Sequence, residues 1–335
     1  MTASPVNELE SRTPDPNADQ SRSKAVASKS PTQLAMARFF KDKKSMVALT
    51  IVVIYLIAGI LAPILDWLGV IDPLTPHQDL IGPDALPIGD WWGISWDHPL
   101  GVEPGIGRDV LSRIWLGIAL SLAVALSASV IAVTLGVVLG VIAGYTGGWV
   151  DSIIGRVIDL VLAFPQTLLL LAAAPVGLAL LTENLGVPEG PLSQGLFVIL
   201  VLGFFGWTGT ARLIRGQVLS LREREFVDAA RLFGASRRRI WFKELLPNLW
   251  APVLVTFTLY MPAFISAEAA LAYLNVSVRP PTPTLGNILR DSIQYASGDF
   301  LYFFAPAFLI ALIVVSFNLL GDGLRDALDP KGDRG

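Results

Sequence analysis

IWLGIALSLAVALSASVIAVTLGVVLGVIA, residues 114–143, is too long and too apolar for a helix buried in a water-soluble domain. At 1.5 Å rise per residue it exceeds the roughly 20 residues that cross about 30 Å of hydrocarbon. The whole chain agrees with it. Of 335 residues, 53% are hydrophobic and 16% charged, against about 25% charged in soluble domains. Reading outward, five more hydrophobic stretches emerge: Met46 to Leu65, Ile153 to Leu181, Leu196 to Trp207 extending towards Leu213, Ala251 to Tyr273, and Leu301 to Leu320. None lacks Gly or Pro, which spans packed against neighbours tolerate. The expectation is an all-α polytopic membrane protein of about six transmembrane helices.

Residues 1–33 are rich in Ser, Pro, Asn and charge and predict a disordered tail. Gln33 to Lys44 mixes Leu34, Met36, Phe39 and Phe40 with Arg38, Lys41, Lys43 and Lys44, an amphipathic stretch suited to a membrane surface. The run from Met46 lies behind a long lead and has no small-residue cleavage site, which favours a retained span over a cleaved signal peptide. Asp66 to Ser112 is rich in Pro, Gly, Trp and Asp, with Arg108 its one basic residue. With both termini inside, the inner segments hold 21 of the 25 basic residues: eight ahead of the first hydrophobic stretch, Arg156, nine from Arg212 to Lys243, and three at the C-terminus. Only Arg108, Arg113, Arg279 and Arg290 fall outside, so the positive-inside rule places both ends in the cytoplasm.

Several chemistries are excluded. There is no cysteine, and His77 and His98 lie far from metal-ligand spacing, so no metal site is expected. A net charge of -3 with no basic domain argues against a nucleic-acid partner. No G-x-x-x-x-G-K-[ST] phosphate loop occurs. Gly144 to Gly148 lacks its Lys and reads as a turn, and two histidines assemble no hydrolytic triad. The chain is therefore not expected to be an enzyme, and energy for uphill transport must come from a partner or an ion gradient. Mid-span acids, the mark of ion coupling, are sparse. Asp159 and Glu268 stand near the ends of their stretches and read equally as packing or interfacial residues.

The segment Arg212 to Leu249 is too long for a simple turn. Phe226, Ala229, Ala230 and Phe233 fall at i, i+3, i+4 and i+7 and make one apolar helical face. Gly234 stands at a C-terminal stop, Ser236 at the N-cap of a second helix, and Leu246-Pro247 just before the next span. Two readings fit: a hairpin lying on anionic lipid, or a docking helix for a partner protein.

EFVDAARLFGASRRRIWFKELLPN, residues 225–248, resembles the EAA loop of ABC importer permeases, specifically the dipeptide/oligopeptide permease family. Asp228, Ala229 and Ala230 stand at the three-residue start, with Asp for the usual Glu; Gly234 and Leu246-Pro247 hold the Gly and Leu-Pro positions, and Glu244 departs from a frequent Ile. The resemblance extends to His98-Pro99-Leu100-Gly101, Gly107 to Arg113, Gly144 to Asp151, Phe164-Pro165, Arg279 to Pro283, and Phe317 to Asp326. Leu285 and Asn275 to Ser277 depart from it, in the outer loop.

That resemblance implies a type I ABC importer (MetI-like) permease fold in a prokaryotic inner or plasma membrane. It implies, as partners, a second homologous permease, two ATPase subunits, an extracytoplasmic substrate-binding protein and the lipid membrane, with ATP and Mg used by the partners and no cofactor bound here. The EAA-loop residues Phe226, Asp228, Ala229, Ala230, Arg231, Phe233, Gly234, Leu246 and Pro247 would couple to the ATPase, with Asp228 and Arg231 at the rim. The third to fifth spans would line the pathway, kinked near Phe164-Pro165, Pro175 and Pro262; kinking for packing alone is the other reading of those prolines. Di- or oligopeptides are the leading cargo; nickel, glutathione or oligosaccharides share the motifs. A self-sufficient ion-coupled transporter or channel and a non-transporting scaffold are the competing classes. The expected organisation is a tail (1–33), amphipathic segment and first span (34–68), extracytoplasmic loop (69–112), permease core (113–322) with coupling loop 213–249, and C-terminal tail (323–335).

Overall fold

A computed structural model describes residues 31–89 and 91–328. The expected disorder of the N-terminal tail falls outside these residues up to position 30, and residues 31–33 form the start of a helix. Residues 329–335 of the C-terminal tail also lie outside.

Apart from two isolated bridges, Ile81 with Pro87 and Val102 with Asp109, regular structure among the described residues is helical. Helix α1 is Pro31–Lys41. Asp42 then accepts from the amides of Lys44 and Ser45, capping α2, Lys43–Trp67. After the outer loop, Asp109 accepts from Ser112 N at 2.7 Å and starts α3, Val110–Thr146. Gly147 and Gly148, at φ 67° and 58°, make the turn into α4, Gly148–Ala163; it is shorter than the expected Gly144 to Gly148, because Gly144 to Thr146 remain in α3. Helix α5, Gln166–Ala179, continues through a π turn to Asn184. Next come α6, Pro191–Leu221, the short α7, Glu225–Leu232, and α8, Trp250–Tyr273. The buried α9, Leu285–Ser292, and α10, Phe300–Leu328, complete the chain.

Among the described residues six helical segments are long and apolar enough to cross a membrane: α2, α3, Gln166–Asn184, α6, α8 and α10. The third span therefore differs from its expected limits. Ile153 to Leu181 is continuous in hydropathy, but Pro165 cannot donate to a helical ladder and Phe164 is extended, at φ -87° and ψ 136°. The run splits into α4 and the α5 span. Helix α6 continues to Leu221, so the coupling loop proper begins at Arg222 rather than 213. Helix α3 begins at Val110 and α10 ends at Leu328, each crossing an expected domain edge.

The centre of the bundle is the contact of α3 with α6. Gly140 and Gly144 face α6 so closely that an added Cβ would sit 2.8 Å from the Ala211 carbonyl and 2.8 Å from Val218 Cβ. Small residues at this spacing let helix backbones approach and gain dispersion contacts, which drive association in lipid. Tyr260 of α8 closes on α6 from the other side: its hydroxyl donates to the Gly206 carbonyl at 2.8 Å and accepts from Thr210 Oγ1 at 3.0 Å.

The outer loop, residues 69–112, has little regular structure but is tied down by charge. Glu103 accepts two bonds from Arg108, at 2.6 and 2.9 Å, and one from the Tyr302 hydroxyl at 3.0 Å, with Arg113 Nε at 3.5 Å. All four residues are buried. Beside them Glu268 is also fully buried, and accepts from Ser121 Oγ at 3.2 Å and Ser277 Oγ at 2.8 Å. It thus joins α8, α3 and the segment leading to α9 as a packing residue, one of the two roles its sequence position allowed.

Candidate functional site

The expected loop is present, and its geometry sorts its residues into two faces. The loop opens with α7. Val227 is fully buried and Ala230 half-buried, and both pack with Ile214, Val218, Ile240, Leu245 and Leu249. On the other side Phe226 is 38% exposed, Leu232 88% and Phe233 91%, and Ala229 is exposed beside them. The single apolar face read from sequence is therefore corrected. Ala230 belongs to the inner, anchoring face with Val227, and Leu232 joins Phe226, Ala229 and Phe233 on the outer one. Phe226 and Val227 are adjacent apolar residues about 100° apart on a helix, so periodicity alone fits either face.

Helix α7 ends in a Schellman motif. Gly234 lies at φ 73°, the Gly234 amide donates to the Arg231 carbonyl at 2.9 Å, and the Ala235 amide to the Ala230 carbonyl at 3.0 Å. Ser236 Oγ accepts from the Arg239 amide at 3.4 Å, which starts the second helix where expected. That helix is one α turn, Arg237–Arg239, followed by a π segment, Ile240–Leu245. Leu246-Pro247 opens a 3-10 turn, Leu246–Asn248, directly before α8.

The two rim charges meet each other: Arg231 donates to Asp228 at 3.0 Å. Arg231 also lies over the Tyr145 ring at 5.4 Å, a cation–π contact to the foot of α3. Arg222 donates to the Gly144 carbonyl at 3.0 Å. The loop is thus stapled to the C-terminal ends of α3 and α6, while its outward apolar residues stay exposed among the described residues.

Of the pathway candidates, Phe164 and Pro165 are exposed at the α4–α5 break, where Pro165 separates two helices instead of kinking one. Pro175 is exposed within α5. Pro262 is buried within α8, so it shapes that helix without facing an open surface. Among the described residues no group of three or more His, Asp or Glu is placed to hold a metal ion. The two histidines do meet, at 5.0 Å between ring centroids, with His98 Nδ1 2.9 Å from Asp109 Oδ1; sequence spacing gave no hint of this.

Six span-length helices with close glycine packing, and a loop between α6 and α8 stapled to them, define a multi-pass membrane protein. Residues 136–333 match the family "Binding-protein-dependent transport system inner membrane component", and residues 30–80 match "N-terminal TM domain of oligopeptide transport permease C". The chain belongs to this family, the membrane permease component of ABC importers, which is not itself catalytic. It is 36% identical over 301 residues to the dipeptide transport system permease protein DppC of Bacillus subtilis, covering 90% of this chain and 86% of the relative. It is 40% identical over 294 residues to DppC of Escherichia coli K12, covering 88% and 91%. To the oligopeptide transport system permease protein OppC of Mycobacterium tuberculosis it is 32% identical over 300 residues, covering 89% and 94%. A solved structure of the MetNI methionine ABC transporter in inward-facing conformations shares the fold at a TM-score of 0.50 and 19% identity, over 65% of this chain and 97% of that chain.

Proposed function

We propose that this chain forms half of the translocation pathway of an ATP-driven importer of di- or oligopeptides. It works with a second permease, two ATPase subunits and an extracytoplasmic binding protein, and both of its termini are cytoplasmic. ATP and Mg are used by the partner subunits. Helix α7 is the coupling element: Phe226, Ala229, Leu232 and Phe233 insert into a groove of the ATPase, and Asp228 and Arg231 set the orientation at its rim. Helices α5 and α8 border the pathway near Phe164-Pro165, Pro175 and Pro262. When ATP draws the ATPases together, the docked helices carry the spans from inward-open to outward-open by rigid-body motion.

The observation that carries this reading is the double nature of α7. One face is built into the core through Val227 and Ala230, so force applied to the helix reaches α3 and α6 without slack. The other presents large apolar side chains to water, which isolated surfaces avoid and interfaces require. The peptide cargo is supported by the names of the relatives. The test is Leu232→Ser with Phe233→Ser in cells that depend on peptide uptake. Uptake is expected to fall at least tenfold with membrane insertion unchanged; undiminished uptake refutes the coupling role.

A further inference from the structure

We propose that the cleft between α4 and the foot of α6 is a binding site for the headgroup of an anionic phospholipid, with Arg156 as its free cation. This assignment goes beyond the transport reading and rests on it only for the side of the membrane that α4 faces.

Helix α4 has the build of an interfacial helix. It buries Ile158 alone among its residues, against Trp207 and Ala211 of α6, and it is absent from the helices able to span. Two ion pairs give its course. Asp151 meets Arg215, with one bond at 2.7 Å, and Asp159 meets Arg212 at 2.6 Å. Eight residues along α4, about 12 Å, match three along α6, about 4.5 Å. Helix α4 is therefore held against α6 from Asp151 to Asp159, in the antiparallel sense. The Arg215 guanidinium beside Asp151 holds that carboxyl below its ordinary range, so both members of this pair are charged at neutral pH.

Between the helices lies a cleft of about 360 Å³, lined by Asp151, Ser152, Arg156, Asp159, Arg212 and Arg215. Three arginines face two aspartates. Arg212 and Arg215 are each engaged by an aspartate. Arg156 is exposed and makes no ion pair among the described residues, so the cleft holds one uncompensated positive charge. Beside Arg156, on the adjoining face of α4, runs an exposed apolar stripe: Trp149, Ile153, Val157 and Leu160 are 75, 51, 41 and 61% exposed. A phosphate in the cleft would place its acyl chains along that stripe. Charge and stripe together match an amphiphile with an anionic head; a basic pocket between helices at the inner face is where anionic lipid headgroups bind.

The test is native mass spectrometry of the full chain purified in detergent, titrated with phosphatidylglycerol or phosphatidylcholine. Phosphatidylglycerol is expected to be retained in preference. Arg156→Gln is expected to weaken its retention about fivefold, the effect of one cation near an anionic headgroup, and Arg156→Lys to restore it. Arg156 is exposed and unpaired, so Arg156→Gln leaves both ion pairs of the cleft in place, and unchanged thermal unfolding checks that. Equal retention of the two lipids, or equal phosphatidylglycerol retention by Arg156→Gln and wild type, overturns the proposal. Displacement of phosphatidylglycerol by inorganic phosphate assigns the cleft to a soluble anion, and displacement by dialanine assigns it to a peptide; either overturns the proposal. So does loss of lipid from the cleft when a second permease chain is co-purified.

Discussion

Replacing Gly234 tests the coupling loop at the one point where its backbone admits little but glycine. At φ 73° an L-residue meets its own carbonyl, at a cost of roughly 1–2 kcal/mol. Nothing lies within 4 Å of a Cβ built at this position, so the whole effect is backbone strain with no steric clash added. The strain acts on the two bonds of the Schellman motif, from Gly234 N to Arg231 O and from Ala235 N to Ala230 O, at 2.9 and 3.0 Å. A loss of 1–2 kcal/mol raises the open population of this turn about 5- to 30-fold. Amide hydrogen exchange of the detergent-solubilised chain reads it directly, because those two amides are the ones released. Gly234→Asn is expected to cost least, since Asn tolerates this region; Gly234→Ala is intermediate, and Gly234→Val, being β-branched, costs most. The spans should keep their protection throughout. If exchange at residues 234 and 235 is the same in all four proteins, or if Asn costs as much as Val, the strain argument fails, and with it the need for glycine at the end of α7.

Other expectations follow from packing and charge. Gly140→Val puts a branched side chain into the α3–α6 contact, where even its Cβ would lie 2.8 Å from the Ala211 carbonyl; thermal unfolding in detergent should report a loss of more than about 1–3 kcal/mol, and Gly216→Ala, with open space around it, should be neutral or stabilising. Glu103→Gln leaves Arg108 and Arg113 buried without their carboxylate. A destabilisation of about 3–5 kcal/mol is expected, with proteolysis of the outer loop as the independent readout; a change under about 1 kcal/mol would mean the loop is held by something else. Glu268→Leu strands the Ser121 and Ser277 hydroxyls and should destabilise by about 1–3 kcal/mol each, while Glu268→Gln, which keeps a carbonyl acceptor, should lose less than half as much.

The sequence made the spans legible because hydropathy is additive along a helix. Ala251–Tyr273, read from composition, lies within one residue of the observed Trp250–Tyr273. The same additivity hid the break at Phe164-Pro165. Both residues are apolar, so the window sees one continuous run, while the proline's missing donor ends the helix locally. The charged lock on the outer loop was hidden for a different reason. Glu103 and Tyr302 are separated by 199 residues, and no local rule pairs a carboxylate with a hydroxyl at that distance. Arg108 and Arg113 looked like ordinary outer-loop cations and are both buried against Glu103.

The coupling loop was legible as a motif and ambiguous as a surface, and the ambiguity has a physical source. An eight-residue helix covers little more than two turns, so Phe226 with Phe233 and Val227 with Ala230 each form an acceptable apolar pair. What separates them is the neighbour. Val227 and Ala230 meet Val218 and Ile214, at the end of α6, and Tyr145 and Trp241 close the same cluster. These partners become visible only once α6 is seen to run ten residues past Ala211, to Leu221. That extension carries the α6 axis out of the hydrocarbon layer and brings α7 against its end. A shorter α6 would leave α7 on a flexible tether, and displacement of α7 would be absorbed by the tether. With α6 continuous and α7 packed on it, the proposed coupling has an unbroken packed path from α7 to the α3–α6 contact at Gly136, Gly140 and Gly144.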